Sequence, residues 1–217
     1  MDISSSSRSP NSETRIPQNA EWLVFEVLHR LAVRLPSNFT YHSFEHTAEV
    51  ISYSELFAKA DSRTERELLL IRVAAVFHDI GFLVDRMNHE EVGAELASAL
   101  LLHLETFSSE ESEVVSRIIL DTKVFENGQW NFSRISTPLS IYLLDADLSN
   151  FGRPQFMQKV ELVRKELNLP ASKSFYCETL EMLDRHSWHT RYAMDHLEQQ
   201  KQSNRSKLLK KIATLKK

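Results

Sequence analysis

The chain has 217 residues, 42% of them hydrophobic and 26% charged, with a formal net charge of -4. That length suits one domain with a sizeable core, and no apolar run approaches the ~20 residues that span a bilayer, which argues against a membrane protein. The mild acidity disfavours nucleic acid as a partner, and the single cysteine, Cys177, rules out an internal disulfide or a cysteine-only zinc site and points to the cytoplasm.

Residues 1–18 are rich in serine, carry Pro10 and Pro17 and lack the apolar stretch of a signal peptide, so they predict a disordered leader before a helical domain over 19–217. A first helix is predicted through Trp22, Phe25, Leu28, Leu31 and Ala32, ended by Pro36. A second runs from about Ser43 to Ala60 with Val50, Ile51, Phe57 and Ala58 inward. A third, capped by Asp61-Ser62, covers Arg63 to Phe77 and is nearly all apolar from Leu68 onward, which marks it as central. Asn88 is placed to cap a helix reaching about Glu105, and Ser108 or Ser109 one ending near Thr122; Phe125 to Thr137 reads as loop. Pro138 opens a helix leading into Asp145-Ala146-Asp147. Helices over Pro154–Leu167, Lys173–Leu183 and Trp188 to the basic tail complete the chain, the tail reading as the solvated face of a terminal helix. With four glycines and no alternating strand pattern, the fold class is all-α, a compact multi-helix bundle.

Three segments carry chemistry: Tyr41-His42-Ser43-Phe44-Glu45-His46, Phe77-His78-Asp79-Ile80-Gly81 and Leu144-Asp145-Ala146-Asp147-Leu148. Imidazole nitrogens and carboxylate oxygens from separate segments suit a divalent metal, and a His-Asp doublet at the end of an apolar helix would be costly to bury without one. His42 and His46 are four apart, but a metalloprotease helix would need glutamate directly after the first histidine, where Ser43 stands.

A histidine, a His-Asp doublet and a later aspartate in this order resemble the HD phosphohydrolase superfamily, specifically its small members described as predicted metal-dependent phosphohydrolases, over about Tyr41 to Arg164. The resemblance implies an HD-domain bundle, phosphodiesterase-like in architecture, that hydrolyses a phosphate ester of a small metabolite or nucleotide, as a phosphomonoesterase or phosphodiesterase. It implies His46, His78, Asp79 and Asp147 as metal ligands. Asp145 competes for the last place, and Asp147 is preferred because Asp147-Leu148 matches the family's register. His89 and His103 lie where two-metal members carry further histidines; one ion is the simpler reading.

The mixed nitrogen and oxygen donors suit Mn, Fe, Co, Ni or Zn, with Mg also open. Such an ion lowers the pKa of a bound water and withdraws charge from a phosphoryl oxygen. His42, Arg86, His89 and Lys123 are the candidates for holding the remaining phosphate oxygens, since each adjoins a ligand segment, and Glu90 or Asp85, besides Asp79, for acid or base work. His29, His186, His189 and His196 are read as lying outside the site, the last three as packing residues, and Arg153, Arg164 and Glu166 as members of surface pairs. The alternative to an enzyme is an inactive regulatory module binding nucleotide or metal on the same scaffold. The sequence leaves the oligomeric state open.

Overall fold

The computed structural model describes residues 18–215 except 105 and 127, so the predicted leader lies outside the described residues, apart from Gln18. The chain runs through α1 (Gln18–Arg34), α2 (Phe44–Ala60), α3 (Glu65–Phe77), α4 (His89–Leu102), α5 (Ser109–Asp121), α6 (Ser140–Asp147), α7 (Phe156–Glu166), α8 (Lys173–Arg185) and α9 (Arg191–Thr214). Short 3-10 turns at Ile80–Leu83 and Ser149–Gly152 follow α3 and α6.

α3 is the axis of the bundle. Every residue from Leu68 to Phe77 except Arg72 is buried, because α1, α2, α5 and α6 pack around it. Its start is set by a capping box, Thr64 accepting from the Glu67 backbone N–H while the Glu67 carboxylate accepts from Thr64 N, rather than by the expected Asp61-Ser62. Ser62 instead takes φ 56 in the turn between α2 and α3. Ser43 caps α2, and Ser108 caps α5 through a second capping box with Glu111. α4 stops at Leu102, short of Glu105, and Asn88 precedes it without a side-chain cap bond, its amide donating to Asp85.

Three expectations need correction. In α1 the core stripe is Ala20, Leu23, Val27 and Leu31, whereas Trp22, Phe25 and Ala32 face outward. The segment read as loop contains a two-residue antiparallel ladder, Phe125–Glu126 against Gln129–Trp130, turned by Gly128 at φ 78. α9 is not simply a solvated basic face: Lys201, Asn204 and Leu208 are buried, with the Lys201 ammonium donating to the His186 carbonyl at the end of α8 and Asn204 bonding the Phe151 and Arg153 carbonyls. Among the described residues no helix is long and apolar enough to cross a membrane.

Candidate metal centre

The three ligand segments meet where three helix ends converge. His46 sits in the first turn of α2, His78 and Asp79 directly follow α3, and Asp147 is the last residue of α6. The His46, His78 and Asp79 ligand atoms all lie within 4.8 Å of one another. Asp147 Oδ1 stands 3.0 Å from His46 Nε2 and 3.7 Å from His78 Nε2, while Asp79 Oδ2 is 3.5 Å and 3.2 Å from the same two nitrogens. Ligands ~2.1 Å from an ion sit roughly 3.0 Å apart at right angles and roughly 3.4 Å apart at tetrahedral angles, so the His46–Asp147, His46–Asp79 and His78–Asp79 contacts have the spacing of neighbouring ligands, while the group in which every pair is close is His46, His78 and Asp79.

The hydrogen bonding around the donors makes the same point. His78 Nδ1 lies 2.7 Å from the Ala75 carbonyl and must donate to it, which leaves Nε2 as the lone-pair nitrogen of the neutral ring. That Nε2 and Asp79 Oδ2 are both buried without a hydrogen-bond partner. Two lone-pair atoms held together in a buried place require a cation or a proton between them. Burial alone would hold His78 down, but the adjacent Asp79 carboxylate outweighs it and raises the imidazole to about 9; burial likewise opposes ionisation of Asp79 and Asp147, and the histidines beside them lower both.

Asp145 is elsewhere. Fully buried, it accepts from His189 N at 3.0 Å and from Thr190 N and Oγ1 at 2.7 Å, tying α6 to the start of α9.

A cavity of about 280 Å3 opens from the cluster and is lined by His42, His78, Asp79, His89, Glu90 and Asp147, among others. His42 precedes α2, outside the helix that would have paired it with His46. Its Nδ1 lies 2.6 Å from the carboxylate of Glu166, whose bond, against the opposing effect of burial, raises the imidazole above its ordinary range. His89 stacks on Phe82 at 3.9 Å between ring centroids, and its Nε2 is 3.9 Å from Asp79 Oδ1; burial lowers its pKa. Burial pushes the Glu90 carboxyl up to about 7.

The other residues expected here stand apart from the cavity. Arg86 donates to Glu166 at 3.1 Å and lies over the Phe39 ring, and Lys123 is paired with Glu91 at 2.5 Å. Asp85 is at the surface of the loop before α4, where it accepts from Met87 N and the Asn88 amide. His103 is exposed just after α4.

The residue that sequence reading missed is Glu166. Taken for a surface pair, it is buried and accepts from Tyr41 N, His42 N, His42 Nδ1 and Arg86. Its position at the end of α7, an acid where the helix dipole favours a base, is the one local signal that it serves something other than its own helix.

The HD domain family profile matches residues 43–212. The chain belongs to the HD domain family. A predicted HD superfamily hydrolase from an uncultured Thermotogales bacterium, known from a crystal structure, shares the fold with a TM-score of 0.52 at 20% identity, over 80% of this chain and 93% of that one. No curated protein sequence gives a significant match. HD domains bind divalent metals, and the buried His46, His78 and Asp79 cluster of this HD domain is consistent with that property.

Proposed function

We propose that this HD domain is a cytoplasmic metal-dependent phosphohydrolase, with His46, His78, Asp79 and Asp147 holding one divalent ion and a small phosphate ester, nucleotides among the class, as substrate. The observation that carries this is the pair of buried, unpartnered atoms His78 Nε2 and Asp79 Oδ2, grouped with His46 within 4.8 Å, with Asp147 Oδ1 standing 3.0 Å from His46 Nε2. A bound ion of the Mn, Fe, Co, Ni, Zn or Mg type supplies acidification of a water molecule and polarisation of a phosphoryl oxygen.

The chain's own residues do the rest. His42, with Nδ1 committed to Glu166, has Nε2 as its remaining polar atom for a phosphate oxygen, and His89 stands beside Asp79 on the same cavity wall. Glu90 is buried in that wall with its carboxyl raised to about 7, so near neutral pH it can hold a proton for the departing oxygen. Asp85, Arg86 and Lys123 take no part in this scheme, because their charges are spent on Asn88, Glu166 and Glu91.

Metal analysis of the purified protein together with a panel of phosphate mono- and diesters tests the proposal. About one transition ion per chain and release of phosphate or alcohol are expected, and His78→Ala or Asp79→Ala should abolish both. Hydrolysis that persists after the metal is removed overturns the ligand assignment, whereas metal and nucleotide binding without turnover points to a regulatory module.

A further inference from the structure

The cavity that opens on the metal cluster has two unlike parts. Three imidazoles and three carboxylates, those of His42, His78, His89, Asp79, Glu90 and Asp147, line it at the cluster. The remainder is walled by the hairpin, by the turn after α6, and by α7 and α8, through Phe125, Trp130, Phe151, Phe156, Phe175 and Met182. Among the described residues, no lysine or arginine lines it. The two cations that adjoin the ligand segments are bound to their own carboxylates, Arg86 to Glu166 and Lys123 to Glu91. A second phosphate, or any anionic group beyond the first, would therefore enter an aromatic enclosure with no lysine or arginine as counter-charge, a position that electrostatics and desolvation both oppose.

We infer that the cavity takes the monophosphate of a compact, uncharged and largely apolar alcohol, the phosphate at the metal cluster and the alcohol's carbon skeleton against Trp130, Phe151, Phe156 and Phe175; this rests on the hydrolase reading above and narrows it. The volume, about 280 Å3, lies just below the ~300–1,000 Å3 range of small-molecule sites, which favours a single ring or a short branched chain. Asn150 adds one point of polar selection: it lines the same cavity, is mostly buried, and its Oδ1 has no hydrogen-bond partner, so the alcohol portion is selected for one N–H or O–H donor. In the reaction the water oxygen forms the new bond to phosphorus, the bond from phosphorus to the alcohol oxygen breaks with its electron pair going to that oxygen, and one water proton ends on the alcohol. The products are inorganic phosphate and the free alcohol.

Two measurements on the full, metal-loaded chain test this. The first compares kcat/KM for phenyl phosphate, glucose 6-phosphate and ADP; phenyl phosphate is expected to lead by at least tenfold, and equal or faster turnover of ADP overturns the inference. The second is calorimetric binding of butylphosphonate against 3-phosphonopropionate, a similar short chain ending in a carboxylate, with inorganic phosphate as reference. Butylphosphonate should bind at least tenfold tighter than 3-phosphonopropionate, and Trp130→Ala should weaken it severalfold while leaving inorganic phosphate unchanged. Equal or tighter binding of the carboxylate overturns the inference. Because binding needs no turnover, a protein that hydrolyses nothing yet prefers butylphosphonate would refute the hydrolase reading and leave the ligand class standing.

Discussion

Glu166 offers the sharpest test of how the site is held. Its side chain is 1% exposed, and its two oxygens serve four donors: Oε2 accepts from Tyr41 N at 2.8 Å and His42 N at 3.0 Å, and Oε1 from His42 Nδ1 at 2.6 Å and Arg86 at 3.1 Å. Glu166→Gln preserves the shape, but in either amide orientation an NH2 replaces one acceptor and faces two donors. Hydrogen bonds to a charged group contribute ~1.5–3 kcal/mol, and truncating one partner of a buried ion pair costs ~3–5 kcal/mol. We expect about 2–4 kcal/mol of lost stability for the Gln variant and about 3–5 kcal/mol for Glu166→Ala, without simple additivity among the four bonds. Three kcal/mol in a chain of this size corresponds to a drop of roughly 6–12 °C in Tm. Urea and thermal unfolding in chelator measures this free of metal, and NMR titration should show the His42 pKa falling in the Gln variant, since the bond that raises it is gone. A Gln variant within about 0.5 kcal/mol of the parent would refute the argument, because neutral substitutions at unimportant sites fall in that range.

Asp145→Asn and Asp147→Asn should separate in opposite ways. The first breaks bonds to His189 and Thr190 and should lower stability by about 1–3 kcal/mol with metal content intact, the second should lose metal with little loss of stability in chelator, and metal analysis with urea unfolding reads both. Gly93→Ala places a Cβ 2.5 Å from the Phe77 carbonyl, so an overpacking cost of ~1–3 kcal/mol should outweigh the ~1 kcal/mol helix-propensity gain, and the push on the end of α3 should weaken metal affinity, measured by competition with a chromophoric chelator. His186 is packed among Phe132, Phe151 and Trp188, and burial holds its imidazole down at about 2. The unfolded chain takes up that proton near pH ~6.5 and the native chain does not, so stability is complete above that pH and falls by up to ~1.4 kcal/mol per unit as pH drops below it. Urea midpoints at pH 7.5, 6.0 and 5.0 should fall less steeply for His186→Phe; parallel slopes would show that His186 is not the group responsible.

The legible parts of this molecule are those in which the information is local. The apolar run of α3, the start of α2 near Ser43 and the serine cap of α5 are all short-range patterns, and each lies in the structure where the pattern puts it. What escaped depends on partners distant in sequence. α1 carries two apolar stripes, and only its packing against α3 and α2 decides that Leu23, Val27 and Leu31 go inward while Trp22 and Phe25 do not. Arg86 and Lys123 look like free cations beside the ligand segments until the fold brings Glu166 and Glu91 to them. Lys201 reads as one of a run of solvated bases, yet it closes the end of α8 fifteen residues back. Glu166 meets its donors across separations of 80 to 125 residues, which no periodicity encodes.

The convergence of helix ends also explains why such hydrophobic helices terminate in acids and imidazoles. α3 and α6 both point their carboxyl ends at the cluster, and neither has a basic residue in its last turn to offset the carbonyls there. Two uncompensated helix termini and two carboxylates make a negative focus at the centre of the bundle, which favours a cation. α2 enters by its amino end, where the local dipole favours negative groups, and contributes an imidazole together with the backbone turn that Glu166 secures. The four proposed ligands thus stand at the ends of packed helices rather than on free loops, and the apolar core that buries α3 also holds His78 and Asp79 against His46 and Asp147. On the proposed metal reading, a scaffold of that kind would have its donors arranged before an ion arrives.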